Sequence, residues 1–396
     1  MGRSLQCLHA LCVFLISCSV GAEGPESSEV RDAPVVPHFP GSVQGLVNSF
    51  EPSLFQLGTL NTGLLGEESA EGKTETGSSS GSGDASSTGD ENSEWLIFSR
   101  PEKRRVSFSR LPDCKGMYPL ISAEDGIKAP SGLALDEFRA TLFVADPSVE
   151  GVWAFNLTVA GGSLIAAKPG ALVLKGVASK SVAVDDLGNL FVTDRHDNSI
   201  KVLTRERQLR GETSPSRVLS GQRSRVWKPA GVAVDSLSLV WTSDKPQFAV
   251  NSASSGVESE ADGGEAADVK GVVEEGEAGA LGGTVTSVSL LGDHIFFSTW
   301  NAQADAGRLL AIKKTGGFLF LISKVLQHPT SVASNHEDSL FIADNSKGEV
   351  FQVEASVMEP SFLEKKLTAP GVFGVSFYKH RAGSFVFGGP SAATIA

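Results

Sequence analysis

Apolar residues along this chain come in short runs, and the runs come in sets. From Pro130 the chain reads PSGLALDEFRATLFVADPSVEGVWAFNL. A run mixing small and aliphatic residues is followed by an acidic turn. A bulky apolar run then stops at Asp146, and an alternating run follows it. The set restarts at Ser179, Pro229, Val285 and Pro329, and in shortened form at Pro370, at intervals of 49, 50, 56, 44 and 41 residues. Self-similarity with a period in the forties marks a stacked or radial repeat. The runs are rich in Val, Ile and Phe and bounded by Gly, Asn, Asp or Pro, which predicts strands. No 3.6-residue apolar stripe persists across a repeat.

The three runs of a set predict three environments. The first (GLAL, SVAV, GVAV, SVSL, SVAS, GVSF) alternates small with larger aliphatic residues. Strands crowded around a central axis require small side chains on the inner face. The second (TLFVA, NLFVT, LVWTS, IFFST, LFIAD) is bulky throughout, as in a strand packed on both faces. The third alternates and lies further out. Between the second and third, Asp146 is followed by Gly151, Asp194 by Asn198 and Asp344 by Gly348. An aspartate that bonds the amides of its own turn, with Gly or Asn taking a left-handed conformation, explains this recurrence without a metal. The expected fold is all-β: a six-bladed β-propeller over residues 95–396, with a disordered N-terminal region and a disordered acidic insertion at 252–282.

The pattern P-x-G-[VL]-A-[VL]-D, then G-N-L-[FY]-V-x-D, then N-x-I resembles the NHL-repeat propellers of the wider superfamily that also holds TolB-like and SMP-30-like rings. Pro229–Asp235, Gly188–Asp194 and Asn198–Ile200 carry it best. The sixth copy is cut short after Val372–Phe377 and Ser384–Phe387, and such propellers close by borrowing strands from the N-terminus. Residues 104–122, with RRVSFSRL and MYPLIS, are expected to pair near Ser384–Phe387. The dibasic run Glu102–Arg105 has a second reading, as a processing point.

Composition changes the picture at the N-terminus. Arg3, an apolar run from Leu5 to Val20, and small residues at Val20 and Ala22 read as a secretory signal over 1–22, cut after Ala22. No later stretch is long and apolar enough to span a bilayer. Cys7, Cys12 and Cys18 leave with the signal, so Cys114 has no intramolecular partner and the fold must stand on its core. Cys114 is read as buried and inert, with pairing to another chain as the alternative. The formal net charge of −12 is concentrated in two Gly/Ser-rich tracts. Residues 67–94 and 257–279 each hold eight carboxylates and one lysine, a net of −7 apiece. Such tracts bury too little apolar surface to fold, so 23–94 is read as low-complexity.

A search for chemistry finds no catalytic set. SMP-30-type lactonases and esterases bind calcium through an Asn opening an inner strand, and the matching positions here are Ser131, Lys180, Ala230 and Thr330. Amidating-lyase propellers bind zinc through histidines, but His38, His196, His294, His328, His336 and His380 show no paired spacing. No cofactor or metal is expected. A basic strip does stand out: Lys201, Arg205, Arg207, Arg210, Arg217, Arg223, Arg225 and Lys228, with Trp227 among them, against Glu206 and Glu212. It is a candidate surface for an anionic glycan, acidic headgroups or an acidic protein. The alternatives are local pairing within a solvated loop and docking of the chain's own acidic tract. Asn156-Leu157-Thr158 is an N-glycosylation sequon. The resulting reading is a secreted or secretory-pathway scaffold that binds protein, with glycan as a further candidate partner, and without nucleic acid, transmembrane segment or catalysis. A metal-dependent propeller hydrolase is the alternative.

Overall fold

The computed structural model describes residues 93–220, 224–244, 249–255, 269–273, 281–355 and 362–380. Outside them lie the expected signal 1–22, the low-complexity stretch up to residue 92, Arg223 and Ser384–Phe387. The acidic runs 256–268 and 274–280 also lie outside.

The first three strands, β1 (Glu94–Arg100), β2 (Arg105–Arg110) and β3 (Tyr118–Ile121), form the outer part of a blade whose innermost strand comes last in the chain. Blade one follows, with β4 (Leu133–Asp136), β5 (Thr141–Asp146), β6 (Gly151–Ala160), the hairpin partner β7 (Ser163–Ala166) and β8 (Ala171–Lys175). Blade two is β9 (Val182–Val184), β10 (Leu190–Asp194), β11 (Ser199–Leu203) and β12 (Arg217–Ser220), with helix α1 (Arg205–Leu209) between the last two. Blade three is β13 (Val232–Val234), β14 (Ser238–Thr242), β15 (Val250–Ser254) and β16 (Lys270–Gly271). Blade four is β17 (Thr284–Leu291), β18 (His294–Asn301), β19 (Ala306–Lys313) and β20 (Phe320–Leu326). Blade five is β21 (Pro329–Ser334), β22 (Ser339–Asp344), β23 (Glu349–Glu354) and β24 (Glu364–Thr368). β25 (Val375–Lys379) then pairs with β1 and completes blade six. Each inner strand touches the next, from β4 through β9, β13, β17 and β21 to β25 and back to β4. The protein is a six-bladed all-β propeller.

The second strand of each blade explains why its sequence is apolar throughout. In β1, Trp95 and Ile97 pack in a cluster with blade one, while Leu96 and Phe98 pack with blade five. In β22, Leu340 and Ile342 face blade four, and Phe341 and Ala343 face blade six. The core is thus divided into six wedges, one between each pair of neighbouring blades.

Closure differs from the expected pairing. The strand that meets β25 is Glu94–Arg100, in antiparallel register from Glu94↔Lys379 to Phe98↔Val375. Residues 104–122 supply the third and fourth strands instead. Among the described residues the sixth repeat contributes the inner strand β25, and the segment before blade one provides the other three strands. The span 252–282 also contains ordered strand: Ser252 and Asn251 of β15 pair with Lys270 and Gly271 of β16, and Val272 and Val273 are buried.

Candidate binding face

The first residue of each blade's inner run is Gly132, Ser181, Gly231, Ser287, Ser331 or Gly374. At the glycines the next blade's backbone leaves no room. A Cβ at Gly132 would stand 2.5 Å from the Lys180 carbonyl oxygen, and one at Gly374 would be closer still to the Ser131 oxygen. At the serines the hydroxyl is a bridge instead. Val232 N donates to Ser181 Oγ (3.2 Å), Val332 N to Ser287 Oγ (3.0 Å) and Val375 N to Ser331 Oγ (3.2 Å). One position earlier, Ser131 Oγ donates to Ser179 O, Thr286 Oγ1 to Pro329 O and Thr330 Oγ1 to Phe373 O. The openings of the inner strands therefore gather at one end of the ring, which we call the upper face.

The inner strands enclose a cavity of about 560 Å3 on the ring axis. Two positions on from those openings, every blade presents a small side chain to it: Ala134, Ala183, Ala233, Ser289, Ala333 and Ser376. Where lactonase-type rings carry the metal-binding Asn, Ser131 and Thr330 already bond a neighbouring blade. Among the described residues, no group of three His, Cys, Asp or Glu side chains converges as metal ligands would.

The upper mouth of the cavity is chemically two-sided. Lys180 and Arg195 of blade two and Asp244 of blade three lie on one side, and Arg195 Nη2 reaches Asp244 Oδ2 at 3.4 Å. Trp300, His328 and Phe373 of blades four to six lie on the other. Trp300 and His328 stack with centroids 3.9 Å apart and planes 23° from parallel. Burial pushes the His328 imidazole below its usual pKa, with the Asp344 and Asp305 carboxylates pulling the other way. The half-exposed shelf is held from below: Asp344 Oδ1 accepts from His328 N (3.0 Å) and Asp344 Oδ2 from Gln327 N (2.8 Å). Asp146 holds Lys128 N and Ala129 N in blade one in the same way, and each of these aspartates also accepts from an amide of its own turn: Ser148 N on Asp146 (3.1 Å), His196 N on Asp194 (2.9 Å) and Lys347 N on Asp344 (3.2 Å).

The basic strip does not stay together. Asp194 faces Ser199 at the upper end of the β10–β11 hairpin, and Leu190 faces Leu203 at the lower end. Lys201 is drawn inward, with Nζ 2.7 Å from Asp194 Oδ2 and 2.8 Å from Asp197 Oδ2. Helix α1 sits at the lower end, where Arg205 N donates to Asn189 Oδ1 and Gln208 Nε2 to Gly188 O. Arg207 within it and Arg210 just after it pair locally: Arg207 with Glu212 (3.1 Å), and Arg210 with Glu206 (2.6 Å) and Glu212 (2.7 Å). Arg217 opens β12, further out in the same blade. Arg225, Trp227 and Lys228 belong to the upper face instead. Trp227 O accepts from Asp244 N, Trp227 N donates to Ser243 Oγ, and Lys228 N donates to Asn198 Oδ1. Arg225 (φ 50°) and Lys228 (φ 43°) both adopt left-handed backbone, and Trp227 is 41% exposed. Sequence reasoning missed Arg195, Trp300 and Phe373. Arg195 lies in the turn after a second run, Trp300 near the end of β18 and Phe373 just before an inner run, so the ring alone brings them together. Asn156 lies near the lower end of β6, exposed, with Oδ1 accepting from Thr141 Oγ1 (3.2 Å). Among the described residues no helix is long and apolar enough to cross a membrane.

Solved structures with this architecture are numerous and distant in sequence. A putative 6-phosphogluconolactonase from Bacteroides uniformis aligns with TM-score 0.50 and 11% identity, over 73% of this chain and 100% of that one. A chain of a nidogen/laminin complex aligns with TM-score 0.49 and 17% identity, over 72% and 98%. TolB from Acinetobacter baumannii gives 0.48 and 10%, over 72% and 66%. No protein-family profile matches the chain, and no curated protein matches it. At these identities the likeness is one of fold: this chain shares the β-propeller architecture of those proteins.

Proposed function

We propose that this protein is a secretory-pathway scaffold that binds a protein partner through its upper face. The observation that carries the reading is the two-sided mouth, with Lys180 and Arg195 opposite the Trp300–His328–Phe373 shelf. A rigid ring holding loops on one face is a suitable frame for a broad binding surface. Aromatic and arginine side chains are the usual anchors of such surfaces. The cavity beneath the mouth is walled by Ala, Val and Ser, and several of its hydroxyls already hold neighbouring blades together. This arrangement favours capture of a segment at the rim over chemistry on the axis. The fitting partner is a protein segment with a carboxylate beside an aromatic or aliphatic side chain. The signal-like N-terminus and the exposed Asn156 support the compartment.

The test is proximity labelling in the secretory compartment with the wild type, with Arg195→Glu/Lys228→Glu and with Trp300→Ala. Proteins labelled by the wild type are expected to drop out with both variants while the thermal midpoint is kept. An identical set of labelled proteins removes the upper face as the binding surface.

A further inference from the structure

The six inner strands carry one small residue each at mid-depth of the axial cavity, and the six are not alike. Blades one, two, three and five place Ala134, Ala183, Ala233 and Ala333 there, whereas blades four and six place Ser289 and Ser376. Both serines are 7% exposed. Other hydroxyls along the same strands are engaged between blades. Ser287 and Ser331 accept from Val332 N and Val375 N, Thr286 and Thr330 donate to Pro329 O and Phe373 O, and Ser334 donates to Leu290 O. Ser289 Oγ and Ser376 Oγ have no hydrogen-bond partner among the described residues, and both residues line the cavity. A buried hydroxyl without a partner costs stability, and alanine in its place does not. Alanine fills the position in four blades, so the ring itself does not call for serine. The two hydroxyls, one on each side of the Ala333 blade, form a hydrogen-bonding edge for a group that enters from outside the chain.

The rest of the cavity defines that group. At the same depth Ala134, Ala183 and Ala233 stand between leucines or valines that also line the cavity, so blades one to three form an apolar arc. The serines occupy the other half of the ring. Lys180 stands at the upper mouth, three residues before Ala183, which is about 10 Å along an inner strand. It is exposed and makes no ion pair among the described residues. The volume of about 560 Å3 falls within the range of small-molecule pockets, roughly 300–1,000 Å3.

We propose that the axial cavity binds an elongated small-molecule carboxylate with a neutral hydrogen-bonding group at its far end. The carboxylate sits at Lys180, the apolar body lies against the alanine arc, and the far group bonds Ser289 and Ser376. A hydroxyl both donates and accepts, so one such group engages both serines. A second charge at that depth would be buried without a counter-ion, which excludes a diacid. The site lies below the rim proposed for a protein segment and does not depend on that segment.

The test is calorimetry on the full chain with three probes of one length: ω-hydroxydecanoate, decanoate and decanediol. The wild type is expected to bind ω-hydroxydecanoate at least tenfold more tightly than decanoate, because the methyl end leaves both serines unpaired. Ser289→Ala/Ser376→Ala gives all six blades alanine at this depth, and is expected to keep the thermal midpoint and lose the preference. Lys180→Ala is expected to weaken both acids at least tenfold and to leave decanediol unchanged. Equal affinity of the wild type for the two acids overturns the proposal, as does a preference that survives in the double alanine variant. Binding of none of the three probes also overturns it. A Lys180→Ala protein that binds both acids as the wild type does removes the carboxylate from the mouth and overturns the orientation on which the proposal rests.

Discussion

The position that opens each inner run shows how single residues build this ring. Glycine occupies it where the neighbouring backbone is in contact, and serine where a hydroxyl can bridge to the next blade. The two therefore fail differently when replaced. Gly374→Ala forces a methyl group onto the Ser131 carbonyl and is expected to cost about 1–3 kcal/mol by overpacking. Ser331→Ala loses the bond from Val375 N and is expected to cost about 1 kcal/mol. Urea midpoints at constant slope check both, and a larger loss at Ser331 than at Gly374 would contradict the account. The sequence showed that these positions are small but not why, because each partner lies about one repeat away. His328 gives a second expectation. Its folded pKa lies below the ordinary 6.5, so the unfolded chain takes up the proton first as pH falls. The stability linked to this group is complete above pH 6.5 and is lost as pH falls from there through the folded pKa. The carboxylates with lowered pKa values, such as Asp125, Asp197 and Asp235, act only below 3.8. Thermal midpoints of the wild type should therefore fall between pH 7 and pH 5, and those of His328→Gln should fall less. Parallel curves would sink this assignment.

At the scale of strands, legibility followed burial. Second strands such as β10 and β22 stood out in the sequence because both faces are buried and every residue before the closing aspartate is apolar or small. β1 has the same character, with Trp95, Leu96, Ile97 and Phe98 all fully buried, but it follows directly on an acidic, Ser/Gly-rich tract. Composition drew the boundary across it, and the closing pair was consequently sought further along. β16 escaped for a different reason. It is two residues long, inside a span whose charge dominates any window, and its pairing with β15 supplies an order that propensity does not show. The closing blade carries a quantitative expectation. Ile97 belongs to the wedge between blades six and one, so Ile97→Ala removes packing there alone and is expected to cost about 2–5 kcal/mol. Amide exchange should quicken first in β1 and β25, since a blade assembled from both ends of the chain has no covalent link across that pair. Uniform acceleration around the ring would show that the closing pair is no weaker than the rest.

For the whole molecule, the ring decides which basic residues act together. Along the sequence, Arg207 and Arg210 lie within about twenty residues of Arg225 and Lys228. In the ring the first pair sits on the lower face in contact with Glu206 and Glu212, and the second belongs to the upper loops beside Arg195. Two charge reversals of equal size therefore separate the sequence strip from the structural face. Arg195→Glu/Lys228→Glu changes charge beside the mouth, where exposed cations act on an incoming anionic surface within a Debye length of about 8 Å at physiological salt. Arg207→Glu/Arg210→Glu changes net charge by the same amount on the far side of the disc, and leaves Glu206 and Glu212 without their arginines. Retention on immobilised heparin and association with an acidic peptide bearing one aromatic residue, each measured against salt, distinguish the two. The upper-face variant should elute at lower salt than the wild type and bind the peptide at least tenfold more weakly, with the difference shrinking as salt rises. The α1 variant should elute close to the wild type and lose some thermal stability instead. Equal losses of retention by both variants would mean that net charge, and not the mouth, governs the interaction. A loss confined to the α1 variant would move the binding surface to the lower face and overturn the proposed function.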